Sequence, residues 1–217
     1  MKQLLQSLKT GDTFIEECPT PIVGSNSVRI KTKRTLISPG TEKMLVDFGK
    51  SSLIDKAKKQ PEKVKEVFNK IYTDGLFATI DAVNSKLEEP IKMGYSNVGV
   101  VDKCSSGVDE FKIGDRVVSN GSHSDHVVVN KNLCSHIPAN VSDEDASFTV
   151  VGSIALQGVR LLKPSIGEYI VVIGVGLIGL LSVQILKANG CKVLAVDYDN
   201  KKLEMAKNFG ANVLNMS

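Results

Sequence analysis

Tyr169-Ile-Val-Val-Ile-Gly-Val-Gly-Leu-Ile-Gly179 is the stretch whose reading decides the fold. Tyr169–Ile173 is a short β-branched run, the pattern of a strand buried on both faces of a parallel sheet. It runs directly into Gly174-Val175-Gly176-Leu177-Ile178-Gly179, the spacing G-x-G-x-x-G. Leu177 to Asn189 then reads as an apolar helix, with Gly190 placed to end it. Cys191–Val196 reads as a second buried strand, and Asp197 stands at its end, eighteen residues after Gly179.

Each part of this unit has a physical task. Gly174 permits a tight strand-to-helix turn, Gly176 lets a pyrophosphate approach the backbone, and Gly179 allows the helix to pack close to the strand. The free N–H groups at the helix start, Val175, Leu177 and Ile178 among the turn residues, favour phosphate charge. Asp197 is suited to accept hydrogen bonds from both hydroxyls of an adenosine ribose. Its charge opposes a 2′-phosphate, so NAD(H) is expected over NADP(H). Tyr198 is placed either to pack near an adenine or to serve as an ordinary surface tyrosine. Strand, turn, helix, strand and acid in this order carry far more weight than the glycines alone.

Around this unit the chain has three textures. Residues 1–42 read as strands, with Val28, Ile30, Thr32 and Arg34 alternating with polar neighbours and Pro19, Pro21 and Gly24 as punctuation. Residues 43–89 read as helices. Pro61 opens one in which Val64, Val67, Phe68 and Ile71 recur at helical spacing, and Leu76, Ile80, Val83 and Leu87 repeat the pattern. The lysines of this segment (Lys50, Lys56, Lys58, Lys59, Lys63, Lys65, Lys70) read as a solvated face rather than an anion site. Residues 91–140 return to short strands at Asn97–Val101, Arg116–Ser119 and Asp125–Val129. Asp143–Lys163 reads as one helix, capped by Ser142 with Asp145 at the capping-box position.

Composition narrows the function classes. The 217 residues are 42% hydrophobic and 24% charged with a net charge of +3, and aromatics make up 5% with no Trp, which does not fit a nucleic-acid reader. No secretory h-region and no membrane-length apolar run occurs. Cys18, Cys104, Cys134 and Cys191 are isolated, so neither a disulfide framework nor a zinc knuckle is expected, and a reduced cytoplasmic setting is the default.

With the nucleotide unit placed, the N-terminal part resembles the medium-chain dehydrogenase/reductase family, the zinc-type alcohol dehydrogenase-like proteins. The marks are Gly114-Asp-Arg-Val117, Val98-Gly-Val-Val101, Asp125-His-Val-Val-Val129 and Ile137-Pro-Ala-Asn-Val-Ser142. Ser38-Pro-Gly-Thr-Glu42, the insertion at 43–89 and Gly94-Tyr-Ser-Asn-Val-Gly-Val-Val101 look most like bi-domain oxidoreductases. The resemblance implies an α/β plus β fold. A GroES-like β-rich catalytic domain spans 1–145, with the helical insertion at 43–89. A linking helix and the first half of a Rossmann domain span 146–217, and the family's active site lies between its two domains. Because the second half of such a sheet has no residues here, the chain reads as the N-terminal portion of a longer oxidoreductase, whose partner is a further C-terminal domain or a second copy.

The departures from the family are equally specific. At the three positions where zinc-dependent members ligate the catalytic metal stand Pro39, Tyr95 and, near the third, Val151. Pro and Val offer no ligand and tyrosine is a poor one. Gly121-Ser-His-Ser-Asp125 fills the space of the four-cysteine lobe, so no zinc is expected, catalytic or structural. His123 and His126 read as surface residues on opposite faces of a strand. Tyr95, at the place of the zinc histidine, is a candidate general acid, with a packing role as the alternative. Thr41 matches the family's proton-relaying hydroxyl, and Glu42 is expected to form a structural salt bridge. The function implied is NAD(H)-dependent, zinc-independent hydride transfer to or from an alcohol or carbonyl, sugar-linked compounds included. The alternative is a nucleotide-binding or assembly module without catalysis of its own.

Overall fold

The computed structural model describes residues 1–51, 55, 58, 61–74, 83, 85 and 87–217. Its elements are β1 (Lys2–Gln6), β2 (Thr13–Glu17), β3 (Ser27–Thr35), α1 (Pro39–Lys50), α2 (Pro61–Asp74), β4 (Ile91–Lys92), β5 (Asn97–Cys104), β6 (Arg116–Ser119), β7 (His126–Asn130) and β8 (Cys134–His136). There follow α3 (Asp143–Ala146), α4 (Thr149–Leu162), β9 (Tyr169–Ile173), α5 (Leu177–Ala188), β10 (Lys192–Asp197), α6 (Asn200–Asn208) and β11 (Asn212–Asn215). Two compact units result, Met1–His136 and Ile137–Ser217, so α3 and α4 both belong to the second. No helix among the described residues is long and apolar enough to cross a membrane.

The first unit is β-rich. A five-stranded antiparallel sheet runs β7-β3-β5-β6-β8, and a smaller one runs β2-β1-β4. β3 is central because its alternation works: Val28 and Ile30 are fully buried, packed with Val101, Val117, Val127 and Phe111. Bulges at Arg29/Ile30 and Thr32/Arg34 then shift the register, so the alternation read through Arg34 ends with that side chain exposed. On the opposite face Arg29 donates to Asp102 at 2.8 Å across β3 and β5, and His126 on β7 lies 3.6 Å from the same carboxylate. That carboxylate raises the pKa of the Arg29 guanidinium.

Two helix expectations shift. The strand texture assigned to 1–42 stops early, because Pro39 sits at the first helical position and opens α1 four residues before the expected helical segment. The expected single helix over 143–163 is two. Ser142 caps α3 as read, accepting from the Asp145 N–H at 3.0 Å and donating to its carboxylate. The Ser147 hydroxyl then bonds back to the Glu144 carbonyl at 2.6 Å, competing with the helical ladder, and α4 starts afresh at Thr149. The Pro61 helix is present as α2, whereas the repeat from Leu76 to Leu87 lies mostly outside the described residues, as does part of the lysine face. Of those lysines, Lys50, Lys58 and Lys65 are exposed.

The second unit is a parallel sheet in the order β11-β10-β9. Its core joins Val183 and Leu186 of α5, Leu203 and Ala206 of α6, and Val193 and Ala195 of β10, with Ile170 and Val172 of β9 packed against them. β9 is not buried on both faces as its composition suggested. Tyr169, Val171 and Ile173 are 74, 56 and 81% exposed. The topology supplies the reason: strands stepping in one direction through right-handed crossovers place α5 and α6 on the same face.

Ile30→Ala is expected to destabilise the first unit by ~2–5 kcal/mol, as removal of fully buried branched aliphatics does. Ile22→Ala, at a side chain 92% exposed, should stay within about 0.5 kcal/mol. Denaturant unfolding of both variants measures the contrast.

Candidate functional site

The glycine turn is built as its spacing demands. Gly174 ends β9 at φ +84°, a left-handed conformation that side chains rarely adopt. A Cβ on Gly179 would overlap the carbonyl oxygen of Gly174, so helix and strand approach to a distance only glycine permits. Gly176 has neither constraint: its φ is −72°, and a Cβ there would meet nothing within 4 Å. The space over that backbone is open, and it lies at the N-terminus of α5, whose first turn has no side-chain cap. Orphan N–H groups facing open space at a positive helix end suit an anionic ligand.

Asp197, the last residue of β10, is tied to this turn. Its Oδ2 accepts from the Val175 N–H at 2.9 Å, while Oδ1 accepts from Tyr198 N–H at 2.7 Å and Asp199 N–H at 3.0 Å. The Asp199, Val175 and Tyr198 backbone donors hold its carboxyl below the usual carboxylate range. A carboxylate has about four acceptor positions, so these three bonds leave one, on Oδ2. Tyr198 is 68% exposed beside it. Asp199 caps α6 through the N–H groups of Lys201 and Lys202, a role the sequence reading missed although its position before Asn200 signals it.

In the first unit Tyr95 is half-buried, and its hydroxyl donates to Thr41 Oγ1 at 3.5 Å, the outer limit of a hydrogen bond. The structure thus brings together the two residues named for proton handling. Glu42 does form the salt bridge expected of it, and the partner is His123, Nε2 to Oε2 at 3.0 Å, with both side chains 9% exposed. The other carboxylate oxygen of Glu42 accepts from the Ser38 N–H at 2.8 Å. The expectation of a surface His123 on a strand is therefore corrected. Residues 121–125 form a loop that returns under Gly94, and the imidazole is enclosed there. Nothing local announces a contact across 81 positions of chain. A polar hollow of about 370 Å³, lined by Lys92, Gly94, Ser122, Ser124 and His126, includes neither Tyr95 nor Thr41.

Among the described residues no three His, Cys, Asp or Glu side chains converge as a metal site would require. The thiols are no readier. Burial raises Cys104, and it pushes Cys134 up to about 12, far from thiolate at neutral pH. Val151, at the third position where the family ligates metal, is fully buried in α4.

Residues 69–175 match the alcohol dehydrogenase GroES-like domain. The chain is 28% identical to an alcohol dehydrogenase of Moraxella sp. over 207 residues, covering 78% of this chain and 61% of that enzyme. These matches support a likeness to the medium-chain dehydrogenase/reductase, zinc-type alcohol dehydrogenase-like family. D-guloside 3-dehydrogenase of Escherichia coli K12 is 27% identical, over 98% of this chain and 58% of its own length. The crystal structure of galactitol-1-phosphate dehydrogenase from Escherichia coli superposes with a TM-score of 0.75 at 21% identity, covering all of this chain and 61% of that one. An alcohol dehydrogenase from E. coli CFT073, crystallised with NADH, gives 0.77 at 22% identity, covering all of this chain and 63% of its own. The chain thus spans about three fifths of the length of these relatives.

Two outcomes follow. Gly179→Ala should destabilise the second unit by ~1–3 kcal/mol, as overpacking does, whereas Gly176→Ala should leave its stability within about 0.5 kcal/mol; thermal unfolding separates them. Asp197 has a folded pKa below its ordinary value. Its contribution to stability is fully present above the ordinary value of 3.8 and is lost as pH falls through the folded value. Urea unfolding of Asp197→Asn should therefore differ from the unaltered chain at about pH 7 and converge with it toward about pH 2.

Proposed function

We propose that the protein is an NAD(H)-dependent oxidoreductase that moves hydride between the nicotinamide and an alcohol or carbonyl carbon. The observation that carries this reading is the open backbone at Gly176, set between the left-handed Gly174 and the acid Asp197. Gly174, Val175, Gly176, Leu177, Ile178 and Gly179 would cradle the pyrophosphate, Asp197 would accept from the adenosine ribose, and Tyr198 would flank the adenine. The free acceptor position on Asp197 suits a ribose hydroxyl, and its full charge repels a 2′-phosphate, which favours NAD over NADP. When bound, the nicotinamide supplies or accepts the hydride.

The proton that accompanies hydride transfer falls to Tyr95, with Thr41 as its hydrogen-bonded neighbour. Zinc does not fit the donor set. Pro39, Tyr95 and Val151 occupy the places of metal ligands, and burial holds the Cys134 thiol protonated, so no step is routed through a metal. Similarity to enzymes named for galactitol 1-phosphate and D-guloside supports a polar, sugar-linked substrate. The four free cysteines suit a cytoplasmic setting. The likeness to bi-domain oxidoreductases points to a further module or a second copy as partner.

Calorimetric titration should show NADH binding, at least about tenfold tighter than NADPH (~1.4 kcal/mol). Gly176→Ala should abolish it, and Asp197→Ala should erase the preference. Reduced-nicotinamide absorbance, followed with sugar alcohols and their phosphates, tests turnover. Turnover stopped by a chelator would overturn the zinc-free reading. NADH binding without turnover would identify a binding module instead.

A further inference from the structure

His123 has no assigned task, yet its imidazole is nine-tenths buried beside the segments that carry Tyr95 and Thr41. Its Nε2 bonds Glu42, the residue next to Thr41 on the first turn of α1. Its ring lies against Gly94, the residue before Tyr95, so closely that a Cβ on Gly94 would stand 2.6 Å from three ring atoms. Gly94 takes φ +83°, which keeps that face of the backbone clear. The imidazole is fixed in turn by its own backbone, whose N–H donates to the Met93 carbonyl at 2.8 Å and whose carbonyl accepts from the Leu4 N–H at 2.9 Å. One ring therefore touches both segments that carry the proton-handling pair.

We propose that His123 is a positioning residue, whose imidazole sets the separation of Tyr95 and Thr41 by holding Glu42 on one side and Gly94 on the other. The proposal rests on reading Tyr95 and Thr41 as that pair. The contact between the two hydroxyls is long, at 3.5 Å, so a small displacement of either segment breaks it. Both carboxylate oxygens of Glu42 are engaged, one by His123 and one by the Ser38 N–H. The turn bearing Thr41 is thus pinned to the ring without using the Thr41 hydroxyl. His123 Nδ1 is buried with no hydrogen-bond partner among the described residues. The proton consequently belongs on Nε2, donated to Glu42, because a buried N–H left unpaired is the costlier arrangement.

The test uses the full chain with ring-13C tyrosine. It has four tyrosines, and the Tyr95 signal is assigned by its loss in Tyr95→Phe. His123→Ala is expected to shift or split the Tyr95 signal and Glu42→Gln to shift it the same way, while Tyr169 and Tyr198 in the other unit stay fixed. His123→Gln, which keeps a donor at the reach of Nε2, should return the Tyr95 signal toward its original position. An unmoved Tyr95 signal in these variants, with Thr41→Val moving it, overturns the positioning role and leaves the pair intact. A Thr41→Val variant that leaves the signal unmoved removes the pair itself, and the proposal falls with it. Should His123→Ala not fold, long-range 1H–15N spectra of the unaltered chain decide. A single His123 tautomer protonated on Nε2 is expected, and a ring averaging between tautomers overturns the proposal.

Discussion

The approach of Gly179 to the Gly174 carbonyl is the constraint on which the second unit depends. It brings α5 down onto the end of β9, and this close packing seats Val175 and Val183 in the core with β10 beside them. The N-cap of α5 is Gly176, which has no side chain with which to cap the helix. Its N–H groups face the open backbone at Gly176 instead. A packing requirement and an uncapped helix start thus meet in one turn, the first at Gly174 and Gly179 and the second at Gly176. The Val175 N–H, which would otherwise be one more orphan, is taken by Asp197 from the end of the neighbouring strand, so the turn is fixed to the sheet before any ligand arrives.

The first unit adds a buried polar contact to close glycine packing such as that of Gly94 and Gly99. A carboxylate and an imidazole, each nine-tenths buried, would be costly apart, because a buried polar group that loses its partner keeps its full desolvation penalty. Here the cost is contained because every oxygen of Glu42 has a donor. The pair links α1 to the loop ahead of β7, elements the sheet hydrogen bonds do not join.

The legibility of these features in the sequence follows their range. β9, α5 and β10 are readable almost to the residue, since periodicity, glycine spacing and Asp197 all lie within one βαβ unit. The Ser142 cap was readable for the same reason. Burial of β9 was misread because composition reports how apolar a strand is, and only the crossover topology reports how many of its faces are covered. The break at Ser147 escaped because it turns on one hydroxyl choosing a carbonyl. Glu42 was legible as an acid in need of a partner, but His123 was not legible as that partner. Only the folded sheet brings the two together, and a loop histidine flanked by serines resembles any surface histidine.

The two carboxylates also show how one functional group is put to opposite uses by counting donors. Glu42 is buried and both its oxygens are engaged within the protein, so it acts on geometry. Asp197 is half-buried and bound by three backbone donors, and those donors lower its pKa, so it stays charged across neutral pH. One acceptor position on it remains. A flexible carboxylate would lose side-chain entropy on taking a further hydrogen bond. This one has already lost it to Val175, Tyr198 and Asp199, so a further donor would be met with little added ordering. The first unit has the reverse arrangement: its rigidity is spent inside, between Glu42 and His123, and the hydroxyls of Tyr95 and Thr41 are left in a long contact.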